Sequence, residues 1–177
     1  MTSIREQYDV LGIDQYYLNH SNDYTNPHER DVVECLAQCY DENRHKAVFD
    51  FACGDGLVSK WIGDRSYIIG NDCYMKERYI NETGNKCYDY SFFDFINFNN
   101  TIEEKFDLTV ISYALDLCDI DILPILLYRL ALISKELIVI RPNKHLIQSP
   151  YWSLSNTHTN KKSKASMYIS HLIFYNG

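Results

Sequence analysis

The stretch Ala47-Val48-Phe49-Asp50-Phe51-Ala52 is a short, nearly continuous apolar run that ends abruptly in Cys53-Gly54-Asp55-Gly56. Leu57, Val58, Trp61 and Ile62 then return at helical spacing, so the order is strand, glycine turn, helix. Glycines at 54 and 56 let the chain turn tightly and let a ligand lie against bare backbone, while the following helix directs its N–H groups at the same spot. A glycine turn alone constrains little. Asp72 adds to it: it ends the next apolar run, sixteen residues after Gly56, where a carboxylate can accept hydrogen bonds from both hydroxyls of an adenosine ribose.

The same alternation continues along the chain. Ser66 to Asp72 is the second run, Cys87 to Tyr90 a weaker third and Phe106 to Tyr113 a fourth. A Leu/Ile-rich helix from about Ile122 to Ser134 follows, with Pro124 in its first turn, and a fifth run, Glu136 to Ile140, stops at Arg141-Pro142-Asn143. Continuous apolar strands alternating with helices predict an α/β fold, a mostly parallel sheet covered on both faces. Tyr151 to Ser155 and Ser166 to Tyr175 flank a polar lysine loop and read as an antiparallel hairpin added to the sheet edge. At the other end, Tyr8, Tyr16, Tyr17 and Tyr24 fall in a helix and loop. Asn26-Pro27-His28-Glu29 then predicts a helix start, with Asn26 as cap, Pro27 first and Glu29 third.

Composition excludes several classes. The 177 residues, 46% hydrophobic and 23% charged, suit one domain, and at this size roughly 70% of the unfolded surface can be buried. No apolar run approaches the roughly 18 residues of a membrane span, and the amino terminus is too polar for a signal peptide, so a soluble, cytoplasmic protein is expected. Six cysteines without a CxxC pair suit reduced, mostly buried thiols rather than bridges or a metal site. The formal charge of -7 is uneven: from Leu137 onward there is no acid and five Lys or Arg, so the first 136 residues carry -7 - 5 = -12. This disfavours a uniformly basic nucleic-acid binder but leaves a basic carboxyl-terminal segment through which RNA contact is open; the plainer reading of Lys161 to Lys164 is a solvated loop.

Dinucleotides and S-adenosylmethionine share the glycine-turn geometry. A dinucleotide pattern would place Gly or Ala at 59, where this chain has Ser59. Asp50 and Asp55 would also repel a pyrophosphate, whereas they suit the cationic sulfonium and ammonium of S-adenosylmethionine. Phe49 to Gly56 resembles the first motif of the class I S-adenosylmethionine-dependent methyltransferases, with Ala52 where that family more often has glycine. Ile69-Gly70-Asn71-Asp72 resembles their second-strand acidic motif, Phe93-Asp94-Phe95 the segment flanking the adenine, and Phe106-Asp107-Leu108 with Ser112-Tyr113-Ala114-Leu115 their fourth strand. The terminal hairpin is similar to their reversed last strand.

The resemblance implies a Rossmann-like fold and S-adenosylmethionine as cofactor, leaving S-adenosylhomocysteine as product. It implies three parts: a lid and substrate segment over 1–45, a cofactor-binding core over 46–140 and a hairpin over 141–177. Asp50, Cys53 and Gly54 would line the methionine moiety, with Ala52 and Gly56 in the same turn. Asp72 and its neighbour Cys73 would hold the ribose, Asp94 and Phe95 flank the adenine, and Ser112 or Tyr113 lie near the sulfonium. Asp94 reads equally well as an ordinary loop acid and Phe95 as a core aromatic.

Methyl transfer asks mainly for alignment, exclusion of water and sometimes a proton acceptor. Asp116 ranks first for that last role, with Tyr113 beside it. Lys144 and His145 follow strand five, and Tyr24 and His28 could close the pocket. By resemblance, the missing Asn/Asp-Pro-Pro-aromatic tetrapeptide disfavours amino methylation of DNA bases, and the missing Pro-Cys disfavours cytosine C5 chemistry. Asp116 and Lys144 could supply two members of a ribose-methylating set, without its final glutamate. The acceptor, whether small molecule, protein or RNA, stays open, as does the oligomeric state. The alternative is a cofactor-binding, non-catalytic subunit supporting a partner.

Overall fold

The computed structural model describes Gly12 and residues 27–142 and 145–172. The expected helix before residue 25, together with Tyr24 and Lys144, lies outside the described residues. The described elements start with α1 (Glu29–Cys39), then β1 (Ala47–Phe51), α2 (Leu57–Ile62), β2 (Tyr67–Asn71), α3 (Lys76–Thr83), β3 (Lys86–Tyr88), α4 (Phe92–Ile96) and β4 (Phe106–Ser112). It continues with α5 (Leu123–Ile133), β5 (Ser134–Arg141), β6 (Trp152–Thr159) and β7 (Lys164–Ser170), with single 3-10 turns at Gly63–Arg65 and Leu115–Leu117. Among the described residues no helix is long and apolar enough to cross a membrane.

The seven strands of the described residues form one sheet in the order β3-β2-β1-β4-β5-β7-β6. The first five run parallel, and β7 is antiparallel to both β5 and β6. This is the expected Rossmann-like sheet with its terminal hairpin. The hairpin is longer than its sequence pattern indicates, because β6 carries exposed polar residues up to Thr159 and β7 already starts at Lys164. β7, the apolar partner, inserts beside β5 and leaves β6 as the edge, where a register irregularity between Leu154 and Asn156 interrupts the ladder. Polar residues and a bulge are common protections for an edge strand.

Strand side chains alternate between two cores, as the period of two requires. Phe49, Phe51, Leu137 and Val139 pack on one face against Leu126, Leu127 and Leu130 of α5. Val48, Val110, Ile138 and Ile140 pack on the other against Val32 and Leu36 of α1 and Val58 and Ile62 of α2. Asp50 shares parity with Val48 and therefore points toward α2, a placement that governs its chemistry below. Gly70 in β2 has a packing reason of its own: a Cβ there would come within 2.6 Å of Tyr79 Cζ and 3.0 Å of Cys53 Sγ. That gap lets the buried ring of Tyr79 lie over the sheet and brings Cys53 Sγ to 3.9 Å from Cys87 Sγ.

Helix α1 starts later than Asn26-Pro27 suggests. His28 is its cap residue, with φ -110° and ψ 14° and no side-chain capping bond. The ring of His28 instead lies flat on Tyr113, with centroids 4.1 Å apart and planes at 10°. That partner is distant in sequence, so local spacing could not announce it. All six cysteines are unbridged, four buried, Cys118 half-buried and Cys73 exposed.

Candidate functional site

In an open parallel sheet, ligands bind beyond the carboxyl ends of the strands where the strand order reverses. Here the reversal falls between β1 and β4. A cavity sits at that point, walled by residues 50–55 after β1, 71–74 after β2, 90–92 before and within α4, and 112–114 after β4. It contains Asp50, Ala52, Cys53, Gly54, Asp72, Cys73, Ser112 and Tyr113 of the residues picked out from the sequence.

The turn after β1 is held from several sides. Ala52 adopts φ 56° and Tyr113 φ 55°, the two non-glycine residues with positive φ among the described residues, at the ends of adjacent parallel strands and both on the cavity wall. Such backbone is uncommon outside glycine and persists only where its surroundings hold it. Gly56 does not line the cavity; it caps α2 at φ 82°, and a Cβ there would strike Thr83 Cγ2 at 2.5 Å. The Asp72 carboxylate ties the β1 and β2 turns together. Its Oδ2 accepts the Gly54 N–H, and its Oδ1 accepts those of Tyr74 and Met75, each at 2.9 Å. Asp72 is thus a positioning group for the glycine turn, and a ribose would share oxygens that are already engaged.

Asp50 is 1% exposed and lines the cavity floor. It accepts hydrogen bonds from Ser59 N–H at 3.2 Å and from Ser59 Oγ at 2.6 Å. Ser59 Oγ lies 2.7 Å from the Tyr79 hydroxyl, so with the serine proton on Asp50 the tyrosine donates to Ser59. Burial pushes the Asp50 carboxyl up to about 7, and the nearby charges of Asp72 and Asp55 add to that rise against the Ser59 bonds. Burial also raises Asp72. Asp55 is partly neutralised by Lys60 Nζ at 3.6 Å, so Asp50 and Asp72 carry the acidity of the cavity.

The adenine-side expectation moves by a turn of helix. Asp94 faces away from the cavity: it completes a capping box, receiving Ser91 N–H at 3.1 Å and Ser91 Oγ at 2.6 Å while Ser91 Oγ accepts Asp94 N–H. Phe95 is 2% exposed and packs on Phe49 and Phe51 in the core. Tyr90, Ser91 and Phe92 are the residues on the wall. Asn71 sets them there, its amide donating to Tyr90 O at 2.9 Å and accepting Tyr90 N–H at 3.1 Å. The S-x-x-D spacing of Ser91 and Asp94 was the missed signal, since it marks a helix start and consumes that carboxylate.

Asp116 is not on the cavity wall. It lies in the 3-10 turn after β4 and pairs with Arg141 Nη1 at 3.1 Å. His28 stands behind Tyr113 rather than on the wall, and His145 is exposed beyond β5, its carbonyl accepting from Arg141. One buried side-chain polar atom has no partner among the described residues: the Ser112 hydroxyl, at the end of β4 on the cavity wall. A buried hydroxyl left unpaired is unfavourable, and a polar ligand in the cavity would satisfy it.

No family model and no curated protein matches this sequence. Solved structures do match its fold. The N-methyltransferase NodS of Bradyrhizobium japonicum WM9, in complex with S-adenosyl-L-homocysteine, aligns with TM-score 0.67 at 11% identity over 89% of this chain and 97% of its own. Magnesium protoporphyrin IX methyltransferase of Synechocystis PCC 6803 with bound SAM aligns with TM-score 0.62 at 15% identity, over 94% and 95%. The PH0226 protein of Pyrococcus horikoshii OT3 aligns with TM-score 0.65 at 14% identity, over 95% and 100%. The strand order, the reversed last strand and these alignments agree: this chain has the Rossmann-like fold of the class I S-adenosylmethionine-dependent methyltransferases.

Proposed function

We propose that this protein is a methyltransferase that uses S-adenosylmethionine. The observation that carries the proposal is the pairing, in one cavity at the strand-order reversal, of the buried Asp50 and the half-buried Asp72 carboxylates with an unpartnered buried hydroxyl. Two carboxylates shielded from solvent in one cavity call for a positive ligand, and a pyrophosphate would meet repulsion there. Asp50 would hold the cationic methionine end, Asp72 the ribose, Ser112 would offer its hydroxyl, and Tyr90 and Phe92 would cover the flat base. The cofactor supplies a methyl group already activated by its sulfonium charge. The chain's own contribution is to orient the acceptor and exclude water, for which Tyr113, Ala114 and Leu117 line the β4 side.

Neither Asp116 nor His28 is on the cavity wall; for proton removal we favour His28, which stands behind the ring of Tyr113. Burial lowers the His28 pKa, Asp31 opposes and Lys162 reinforces the fall, so it is neutral and able to accept a proton near pH 7. Asp116 is held by Arg141. That engagement, and the absence among the described residues of a carboxylate base on the acceptor side of the wall, favour the second reading, a cofactor-binding subunit without its own transfer activity.

Calorimetric titration with S-adenosylhomocysteine tests the first step: saturable binding is expected, and no heat at millimolar ligand overturns the proposal. Ser112→Ala and Phe92→Ala probe the wall without dismantling the Asp72 clamp, and both should weaken binding. Transfer of a labelled methyl group to a fractionated cell extract then separates the active enzyme from the supporting subunit.

A further inference from the structure

Tyr113 links the cavity to a segment fifty residues later in the chain. One face of its ring carries His28, and its hydroxyl is hydrogen-bonded to Ser163 Oγ at the β6–β7 turn. The left-handed backbone at Tyr113 is an unfavourable conformation for a large residue, and it sets the ring between the cavity wall and that turn.

The turn itself is built. Asn160 Oδ1 accepts the N–H groups of Lys162 at 3.1 Å and Ser163 at 2.7 Å. The Asn160 amide donates across to α1, to Asp31 O at 3.1 Å and Glu34 Oε2 at 3.3 Å. Ser163 is buried, while Lys161 and Lys162 are exposed at the tip. Neither lysine is in an ion pair among the described residues, and Lys162 is near enough to His28 to disfavour its charged form. The local acids are accounted for in part: Glu34 is bonded to Arg30 at 3.0 Å and to Asn160, and Asp31 lies beside His28.

We propose that the β6–β7 turn, joined to the cavity wall through the Tyr113–Ser163 hydrogen bond, is an anion-recognising lip, in which Lys161 and Lys162, the latter near His28, take one carboxylate or phosphate group carried by a small-molecule methyl acceptor. The assignment rests on the methyltransferase reading. Two lysines on an anchored turn can meet one anionic group at a fixed distance from the cavity mouth, which is how a charged group selects and orients a small substrate. A nucleic acid needs several phosphate contacts in register, and the -12 carried by residues 1–136 opposes a polyanion.

The test uses inorganic phosphate and acetate as separate probes, titrated into the full chain while the His28 imidazole proton resonances are followed. Potassium chloride at matched ionic strength serves as the control. A saturable shift in the millimolar range is expected from at least one probe, and Lys161→Ala/Lys162→Ala should weaken it by roughly tenfold or more. S-adenosylhomocysteine affinity should be the same in both proteins. The anion that binds more tightly identifies the group recognised. No saturable shift beyond the chloride control, or the same shift in the double variant, overturns the lip. Tight, steeply salt-dependent binding of a polyuridine RNA would overturn its restriction to a single anion. Failure of S-adenosylhomocysteine to bind either protein sinks the methyltransferase reading while leaving the anion result to stand or fall on its own.

Discussion

Asp50 at the end of β1 and Ser59 in the first turn of α2 are joined twice, through the serine N–H at 3.2 Å and its hydroxyl at 2.6 Å. This pair fastens the strand to the helix across the glycine turn and satisfies one carboxyl oxygen of a fully buried acid. Buried carboxyls favour the protonated form, and Asp50 is raised to about 7.

A raised folded pKa has a definite sign. The unfolded chain binds this proton only below about pH 4, so the stability Asp50 contributes is complete below that point and declines as pH rises to about 7. The decline amounts to a few kcal/mol, about 4 at the outside. Asp50→Asn keeps an acceptor for both Ser59 donors and does not ionise. Urea unfolding at about pH 8 should find the variant more stable than wild type by roughly 2 kcal/mol, with the gap closing near pH 5. A gap that is the same at both pH values would contradict the assignment.

Cofactor binding should be coupled to the same proton. A sulfonium and an ammonium beside Asp50 favour its charged form, so binding near pH 7 releases a proton and tightens as pH rises. Calorimetry in phosphate and in Tris, whose ionisation heats differ, should give different observed enthalpies for wild type. Asp50→Asn should give equal ones.

Ala52 holds a backbone conformation that costs alanine about 1–2 kcal/mol. Glycine removes that cost and adds back roughly 0.5–1 kcal/mol of unfolded-state freedom. Ala52→Gly should therefore be neutral to about 1 kcal/mol more stable in thermal unfolding, where alanine-to-glycine changes ordinarily destabilise. A loss of 1 kcal/mol or so would mean that the methyl group does packing work outweighing its strain.

Asp94 and Phe92 should separate stability from binding. Asp94→Ala breaks the capping box of α4 and should cost about 1 kcal/mol with little change in S-adenosylhomocysteine affinity. Phe92→Ala removes a wall of the cavity and should weaken that affinity several-fold. Reversal of the two outcomes would restore Asp94 to the adenine side.

The alternation of apolar runs with helical spacing, and the glycine turn between Phe51 and Leu57, were sufficient by themselves to indicate a mostly parallel sheet with a tight turn at the end of β1, where the structure has its cavity. Those features are local: period, turn chemistry and run length act over a few residues. The acid at the end of β2 was equally legible, because a polar residue closing an apolar strand is conspicuous. What the side chains do with that placement was decided by the tertiary structure. Asp72 clamps two turns because Gly54, Tyr74 and Met75 present their N–H groups to it, and Asp50 meets Ser59 because strand parity turns it toward α2. Asp94 and Phe95 were placed one turn away from the cavity by a cap and by packing on Phe49. The stack of His28 on Tyr113 and the Tyr113 bond to Ser163 join residues 85 and 50 positions apart. Contacts at such separations depend on how the sheet brings strand ends together, and no pattern within a single segment carries that information.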